Sequence, residues 1–343
     1  MDVRNDRITI QDVAKDAGVS IATVSRVINN NYNVNEKTRE SVLRSMEKLS
    51  YLPNSIARSL KINSTRTIGF VVSDISNTYH ISIARAVEDV IAKHNFNMTV
   101  CSTGNDKERE LTYLKLLMSQ NIAGLILNST GKNEDFILEM NKYIPIVLLN
   151  RKIDSPNFIG DVVGTDNEKS STLLTKQLIK LGHRRIMVVH GSLDLSNGLE
   201  RYNGFVKAMK EIDIEVGKDY PYQFDSNFTL EGGYNAVEYM KSLPQKPTAV
   251  FTQNNMSTLG VLRAFKENNI NAPDDISMVS YDTLDNLNLM ITRPTVASYD
   301  THSMGYNAGM AILERIKDPT IPNREFIEQP EIIIGNAVGI CME

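Results

Sequence analysis

From residue 67 onward the chain alternates short apolar runs with longer amphipathic stretches, and this alternation restricts the fold more than any other feature. The runs "TIGFVV", "MTVCS", "AGLILN" and "IPIVLLN" are separated by stretches such as "YHISIARAVEDVIAKHN" and "RELTYLKLLMSQN". A second series begins near Phe158, with "RRIMVVHG", "TAVFTQ" and "ISMVSYD" interleaved with "SSTLLTKQLIKLG" and "STLGVLRAFKENN". Strands that alternate with helical stretches of roughly 10–15 residues form parallel sheets covered on both faces. Two such series predict two similar α/β lobes. Their strand C-terminal ends meet at a cleft, where open α/β sheets bind ligands.

The chain has 343 residues, 41% of them apolar, which suits two or three domains at roughly 100–200 residues each. Its formal charge of −4 is unevenly spread. Residues 1–66 carry 11 Lys/Arg against 7 Asp/Glu, leaving 26 against 34 for the rest. A basic head on an acidic body points to a polyanionic partner for the head alone. Cys101 and Cys341 fit no metal or redox spacing and read as inert thiols. The start "MDVRNDRIT" has no apolar core of a signal peptide, and no apolar run approaches the length of a membrane span. The expected location is the cytoplasm.

The head, residues 8–52, reads as three short helices. In "ITIQDVAKDAGVSIATVSRVIN", Thr9 can cap a helix whose inner face carries Val13, Ala14 and Ala17. Gly18 ends it where a positive φ is needed. Ser20 caps a second helix with Val24, Val27 and Ile28 on its inner side. A third begins near Glu36, with Val42, Met46 and Leu49 as its stripe. This is a helix-turn-helix arrangement. Ile21, Ala22 and Arg26 lie opposite the apolar face of the second helix, suited to thymine methyls and guanine edges in a major groove. Ser20, Thr23 and Ser25 are short donors fit for phosphates; Thr9 completes that expected set. A solvated Arg26 and a stray Ile21 are the bland reading, and the helix pattern alone leaves both open.

"PNSIARSLK", residues 53–61, looks helical after an N-cap at Asn54, yet an isolated helix this short is marginal in water. Here a resemblance becomes specific. "TIQDVAKDAGVSIATVSRVINN", "VNEKTRESVLRSMEKLSYLPNSIARSLK" and "TIGFVVSDISNTY" resemble the lactose-repressor (LacI/GalR) family of bacterial transcription regulators, and the match runs through nearly the whole chain. The resemblance implies that residues 53–66 are a hinge helix and linker, the helix forming as a pair when a dimer sits on its operator. Leu60 corresponds to the residue wedged into the minor groove, with Arg58 and Lys61 offsetting phosphate charge. Asn54 and Ala57 complete the expected DNA-contacting residues of this segment. The alternative is that Leu60 merely packs on the head or body.

The resemblance also implies that residues 67–343 are a periplasmic-binding-protein type I body of two Rossmann-like lobes. The chain would cross between lobes near Asn150–Phe158 and near Thr283–Pro294. Polar residues stand at the strand ends: Asn150, Asn254, Asn255 and Asp282, with Arg201 inside "GLERYNGF". Amides, one carboxylate and one guanidinium at a cleft suit a neutral, hydroxyl-rich ligand such as a sugar. Tyr79 or Phe228 could stack on its face. Correspondence with the family raises Arg201 and Asp282 most, and supports Asn150, Asn254, Ser73, Tyr79, Asn197 and Phe228 less. Asn255 departs from a usual Asp, and Asp300 from a usual proline.

No GxGxxG follows a strand, and Walker, GxSxG and HExxH patterns are absent. His80, His94, His183, His190 and His302 show no ligand spacing. The expectation is a regulator without enzymatic activity and without a cofactor. It would be a homodimer that represses sugar-utilisation genes from a pseudo-palindromic operator under a sugar effector, with no membrane partner. The rivals are a sugar receptor whose head no longer reads DNA, and an enzyme on the same fold.

Overall fold

The computed structural model describes residues 8–28, 34–51, 65–284 and 287–341. The chain divides into two compact units between Thr65 and Arg66. The first holds α1 (Ile10–Ala17), α2 (Ile21–Ile28) and α3 (Glu36–Lys48). Thr9 and Asp12 form a reciprocal capping box on α1, and Gly18 ends that helix at φ 66°. Ser20 Oγ accepts from Thr23 N at 3.1 Å, satisfying an amide at the start of α2. Val13, Ala14, Val24, Val27 and Val42 are buried together, with Met46 and Leu49 packed against them. Asp16 ties α1 to α3, accepting from Ser45 Oγ at 2.8 Å and Lys48 Nζ at 2.7 Å.

The second unit contains two six-stranded sheets. In the first lobe, β1 (Thr67–Val72), β2 (Asn97–Ser102), β3 (Gly124–Leu127), β4 (Ile146–Leu149), β5 (Gly160–Thr165) and β11 (Glu325–Glu328) take the order β11-β5-β4-β3-β1-β2. All its pairs are parallel. In the second lobe, β6 (Ile186–His190), β7 (Gln223–Asp225), β8 (Ala249–Thr252), β9 (Ser277–Tyr281), β10 (Thr295–Ser298) and β12 (Glu331–Ile333) take the order β12-β10-β9-β8-β6-β7. Only β12 runs antiparallel to its neighbour. Strands β3, β4, β6, β8 and β9 are buried at every residue, as helices on both faces require.

The first lobe carries α4 (Thr78–Ala92), α5 (Lys107–Ser119), α6 (Glu134–Asn141) and, from late in the chain, α11 (Thr301–Lys317). The second carries α7 (Asn167–Lys180), α8 (Ser196–Lys210), α9 (Leu230–Ser242) and α10 (Asn255–Glu267). Helix α11 lies close on α4 because Gly305 faces it: a Cβ there would meet Ala86 Cβ and Ile83 O at 2.5 Å. Asp300, where proline was the expectation from resemblance, is the N-cap of α11 and accepts from His302 N and Ser303 N.

Two expected crossovers are displaced, and a third exists. The segment 150–158 stays in the first lobe, because β5 still pairs with β4. The chain leaves that lobe after Thr165. It returns after Ser298 rather than within 283–294, because β10 still pairs with β9. It crosses again between β11 and β12. Tyrosine hydroxyls fasten these passages: Tyr281 Oη lies 3.0 Å from Thr165 Oγ1, and Tyr299 Oη donates to Ser170 Oγ at 2.6 Å.

Candidate functional site

In the head, the packing of Val24 and Val27 fixes which face of α2 looks outward. Ile21, Ala22 and Arg26 are exposed there, Ile21 to 46% although it is large and apolar. Ile21 and Arg26 therefore share the exposed face of this short helix, opposite its core side. The hydroxyls of Ser20 and Thr23 pair at 2.9 Å, and that of Thr9 donates to Asp12 at 2.6 Å. These groups therefore brace the helix starts. Ser25 is half-buried. Asn54, Ala57, Arg58, Leu60 and Lys61 lie outside the described residues.

In the body, one cavity of about 180 Å³ opens between the lobes at the strand ends. All nine residues singled out from the sequence line it: Ser73, Tyr79, Asn150, Asn197, Arg201, Phe228, Asn254, Asn255 and Asp282. Asn150, Phe228 and Asp282 turn the chain with φ of 60°, 58° and 67°. For phenylalanine this left-handed conformation is strained, and strain of this kind collects at ligand clamps. The Phe228 ring rests where Gly191 has no side chain; a Cβ there would fall 2.3 Å from it.

Arg201 is held on three sides. Its Nε donates to Asn167 Oδ1 at 2.9 Å and Nη1 to the Gln253 carbonyl at 2.7 Å, with the guanidinium 3.6 Å above the Tyr281 ring. Asp282 Oδ2 lies 3.8 Å from Arg201 Nη1. Burial raises the Asp282 carboxyl above the usual carboxylate range, and the Arg201 charge only partly offsets this. Asn150 Oδ1 accepts from Tyr79 Oη at 3.1 Å. Asn254 is occupied at both ends, capping Ser257 N and donating to the Phe228 carbonyl, so it shapes the wall. Asn197 Oδ1 accepts from Gly198 N at 3.0 Å.

Sequence reasoning missed Asn77, His80, Asn105, Asn128 and Arg151, which also line the cavity. Arg151 Nη1 donates to the Ser129 carbonyl at 2.6 Å. His80 Nε2 is 3.1 Å from Ser73 Oγ. Burial, joined by the Arg151 charge, pushes the His80 imidazole down to about 4, so it is neutral at pH 7. Five buried polar atoms on these walls have no hydrogen-bond partner among the described residues: His80 Nδ1, Asn105 Oδ1, Asn128 Oδ1, Arg151 Nε and Asp282 Oδ1. A buried polar atom without a partner is costly, and these five all belong to residues that line one cavity. Among the described residues no group of His, Cys, Asp or Glu is arranged to hold a metal ion. No helix among them is long and apolar enough to cross a membrane.

The chain's likenesses agree with both surfaces. Residues 9–54 match the family model for bacterial regulatory proteins of the lacI family. Residues 65–335 match that for periplasmic binding proteins and the sugar binding domain of the LacI family. The HTH-type transcriptional repressor PurR of Aliivibrio salmonicida is 34% identical over 333 residues, covering 96% of this chain and 98% of the relative. PurR of Vibrio campbellii is 32% identical over 332 residues, with 96% and 98% covered. Among solved structures, the transcriptional regulator CelR–cellobiose complex is 25% identical with a TM-score of 0.70, covering 96% of this chain and all of that one (100%). The lac repressor dimer bound to operator and the anti-inducer ONPF has a TM-score of 0.83 at 24% identity, with 97% and 100% covered. The chain belongs to the LacI family and is a DNA-binding transcriptional repressor.

Proposed function

We propose that this repressor answers to a neutral, single-ring, hydroxyl-rich ligand, a monosaccharide or close derivative, held between the lobes of the body, and controls sugar-utilisation genes. The observation that carries this is the mixed set of unpartnered atoms on the cavity wall. Asp282 Oδ1, Asn105 Oδ1 and Asn128 Oδ1 can only accept, while Arg151 Nε can only donate. A hydroxyl does both, so a polyol suits this mixed set of donors and acceptors. A volume of about 180 Å³ equals the liquid share of about six waters and lies below the roughly 300–1,000 Å³ of drug-sized sites. The CelR–cellobiose complex, similar to nearly the whole chain, supports a saccharide.

A nucleobase is the second reading, favoured by Phe228, whose ring lies 5.7 Å from the Arg201 guanidinium beside the cavity. Calorimetry with monosaccharides, cellobiose and nucleobases separates the two. Binding of a nucleobase, with no saccharide bound, overturns the sugar reading.

On this reading residues 8–52 read DNA, 53–66 form hinge and linker, and 67–343 bind ligand and dimerise. A homodimer sets two heads on a pseudo-palindromic operator. Its natural face includes Leu289 and Ile291, which are 82% and 92% exposed, and Ile334 at the end of β12. Asn336 draws these segments together, donating to the Ile291 carbonyl at 2.9 Å and accepting from Arg293 N at 2.7 Å. Leu289→Asp with Ile291→Asp is expected to give a monomer in sedimentation velocity, each buried side chain contributing about 1.5–3 kcal/mol. A dimer that persists places the interface elsewhere.

Arg26, exposed at the end of α2, is assigned to a guanine in each half-site. Arg26→Ala should weaken operator binding by about 1–3 kcal/mol per half-site and relax preference at one base pair. An equal loss on random DNA would make it a phosphate contact.

A further inference from the structure

Asn77 precedes α4 in the first lobe, and Asn255 opens α10 in the second. Their side-chain amides meet across the mouth of the cavity in a reciprocal pair. Asn77 Nδ2 donates to Asn255 Oδ1 at 3.1 Å, and Asn255 Nδ2 donates back to Asn77 Oδ1 at 2.9 Å. The orientation of Asn77 is fixed by its other task, since its Oδ1 also accepts from Tyr79 N at 3.1 Å as the N-cap of α4. Nδ2 must therefore face the opposite lobe. A side chain with both an acceptor and a donor can answer Nδ2 and the second lone pair of Oδ1 together, and Asn255 is such a side chain. Asn255 is buried and Asn77 half-buried, so water competes less for these bonds than at the surface.

The other cross-cleft contacts are weaker. Lys132 Nζ lies 2.8 Å from Asp194 Oδ2, but both side chains are largely exposed and salt screens such pairs. Ser196 Oγ accepts from Lys152 N at 2.9 Å, also at an exposed place. The tyrosine hydroxyls described above sit where the chain passes between lobes, so hinge motion leaves them in place.

We propose that Asn77 and Asn255 form a clasp of protein atoms alone, which keeps the lobes closed whatever ligand the cavity takes. Entry of a ligand then requires the clasp to part, and the population of open lobes sets how often that happens. Two net hydrogen bonds shift a closed-to-open ratio by on the order of tenfold.

The test uses the full-length protein with no ligand added. Cys101 and Cys341 are replaced by alanine, and spin labels are placed at Lys107→Cys and Glu231→Cys, exposed on opposite lips at the starts of α5 and α9. Pulsed electron–electron distance measurement should give one narrow, short distance in this background. Asn255→Ala, and Asn77→Ser, which keeps an oxygen for the α4 cap, should each shift the closed-to-open ratio by about tenfold toward a longer distance. The double variant should go no further than either single one, because the two residues share both bonds. Asn255→Asp should open the lobes similarly, because it sets two acceptors against each other. Lys132→Ala should change nothing. Thermal melts establish that each variant is folded. A broad, long distribution in the unsubstituted background, or an unchanged one in both Asn255→Ala and Asn77→Ser, overturns the clasp.

Discussion

Asp161→Ala is expected to destabilise the body by about 3–5 kcal/mol, read from its urea transition at pH 7. Asp161 sits on β5 with no exposed surface, between two guanidiniums. Its Oδ1 accepts from Arg315 Nη2 at 2.7 Å and its Oδ2 from Arg315 Nε at 2.8 Å, while Arg324 Nη2 donates to Oδ2 at 2.8 Å. Arg315 is 1% exposed. Removing the carboxylate leaves that buried charge with the Ile321 and Pro322 carbonyls alone. The loss comes mainly from stranding a cation, so Asp161→Asn, which keeps shape and some hydrogen bonds, should cost less. Burial opposes ionisation of Asp161, but the two arginines more than offset it and hold the carboxyl below its ordinary value. A depressed folded pKa contributes stability that is complete above the unfolded value, about 3.9 for aspartate, and lost as pH falls through the folded one. The gap between the unsubstituted protein and Asp161→Asn should therefore begin to narrow below about pH 4 and close as pH falls through the lower folded value. A pH-independent gap would make the ion pairs incidental.

That cluster also shows what the sequence withholds. Strands β1, β3, β4, β6, β8 and β9 are legible because each is a short, mostly apolar run without the alternation of a one-sided sheet, as burial on both faces requires. By contrast, β11, "EFIE", and β12, "EII", carry acids and lie at sheet edges. Their strand character depends on pairing with β5 and β10, which lie far away in the chain. The crossovers were misplaced for the same reason. "GDVVGT" is a short run between glycines with no helix before it, and only its register with β4 assigns it to the first lobe. The head was read more fully, because its caps and turn are local chemistry.

In the cleft, the rule that polar residues at strand ends converge picked out Asn150, Asn254, Asn255 and Asp282, while Ser73 and Asn197 came from the family resemblance alone. The same rule applied to "AGLILN" would have added Asn128, which stands after β3 as Asn150 stands after β4. Arg151 and Asn77 had no such signal. An arginine is read as exposed unless something shows its burial, and Asn77 looks only like a helix cap. Its second partner is 178 residues away.

Loss of effector response is expected when the Arg201–Asp282 pair is altered, with operator binding kept. Arg201→Ala leaves the buried Asp282 carboxyl without its neighbouring charge, a loss of about 1–3 kcal/mol, and should weaken the effector by roughly tenfold or more. Arg201 also holds Asn167 and the Gln253 carbonyl, so this change disturbs the wall as well as the ligand. Asp282→Asn is the cleaner probe. It preserves volume, and asparagine tolerates the φ of 67° found there. It removes the charge and replaces one acceptor oxygen with a donor, which a sugar hydroxyl can meet only by reversing its own hydrogen bond. Calorimetry with whichever sugar binds the unsubstituted protein should then show weakened binding in both variants. Operator affinity without sugar should stay within about threefold of the unsubstituted protein, since α2 and its Arg26 belong to the other compact unit. Unchanged sugar affinity in Asp282→Asn would mean that its unpartnered oxygen does not face the ligand, and the site would have to be sought around Arg151 and Asn128.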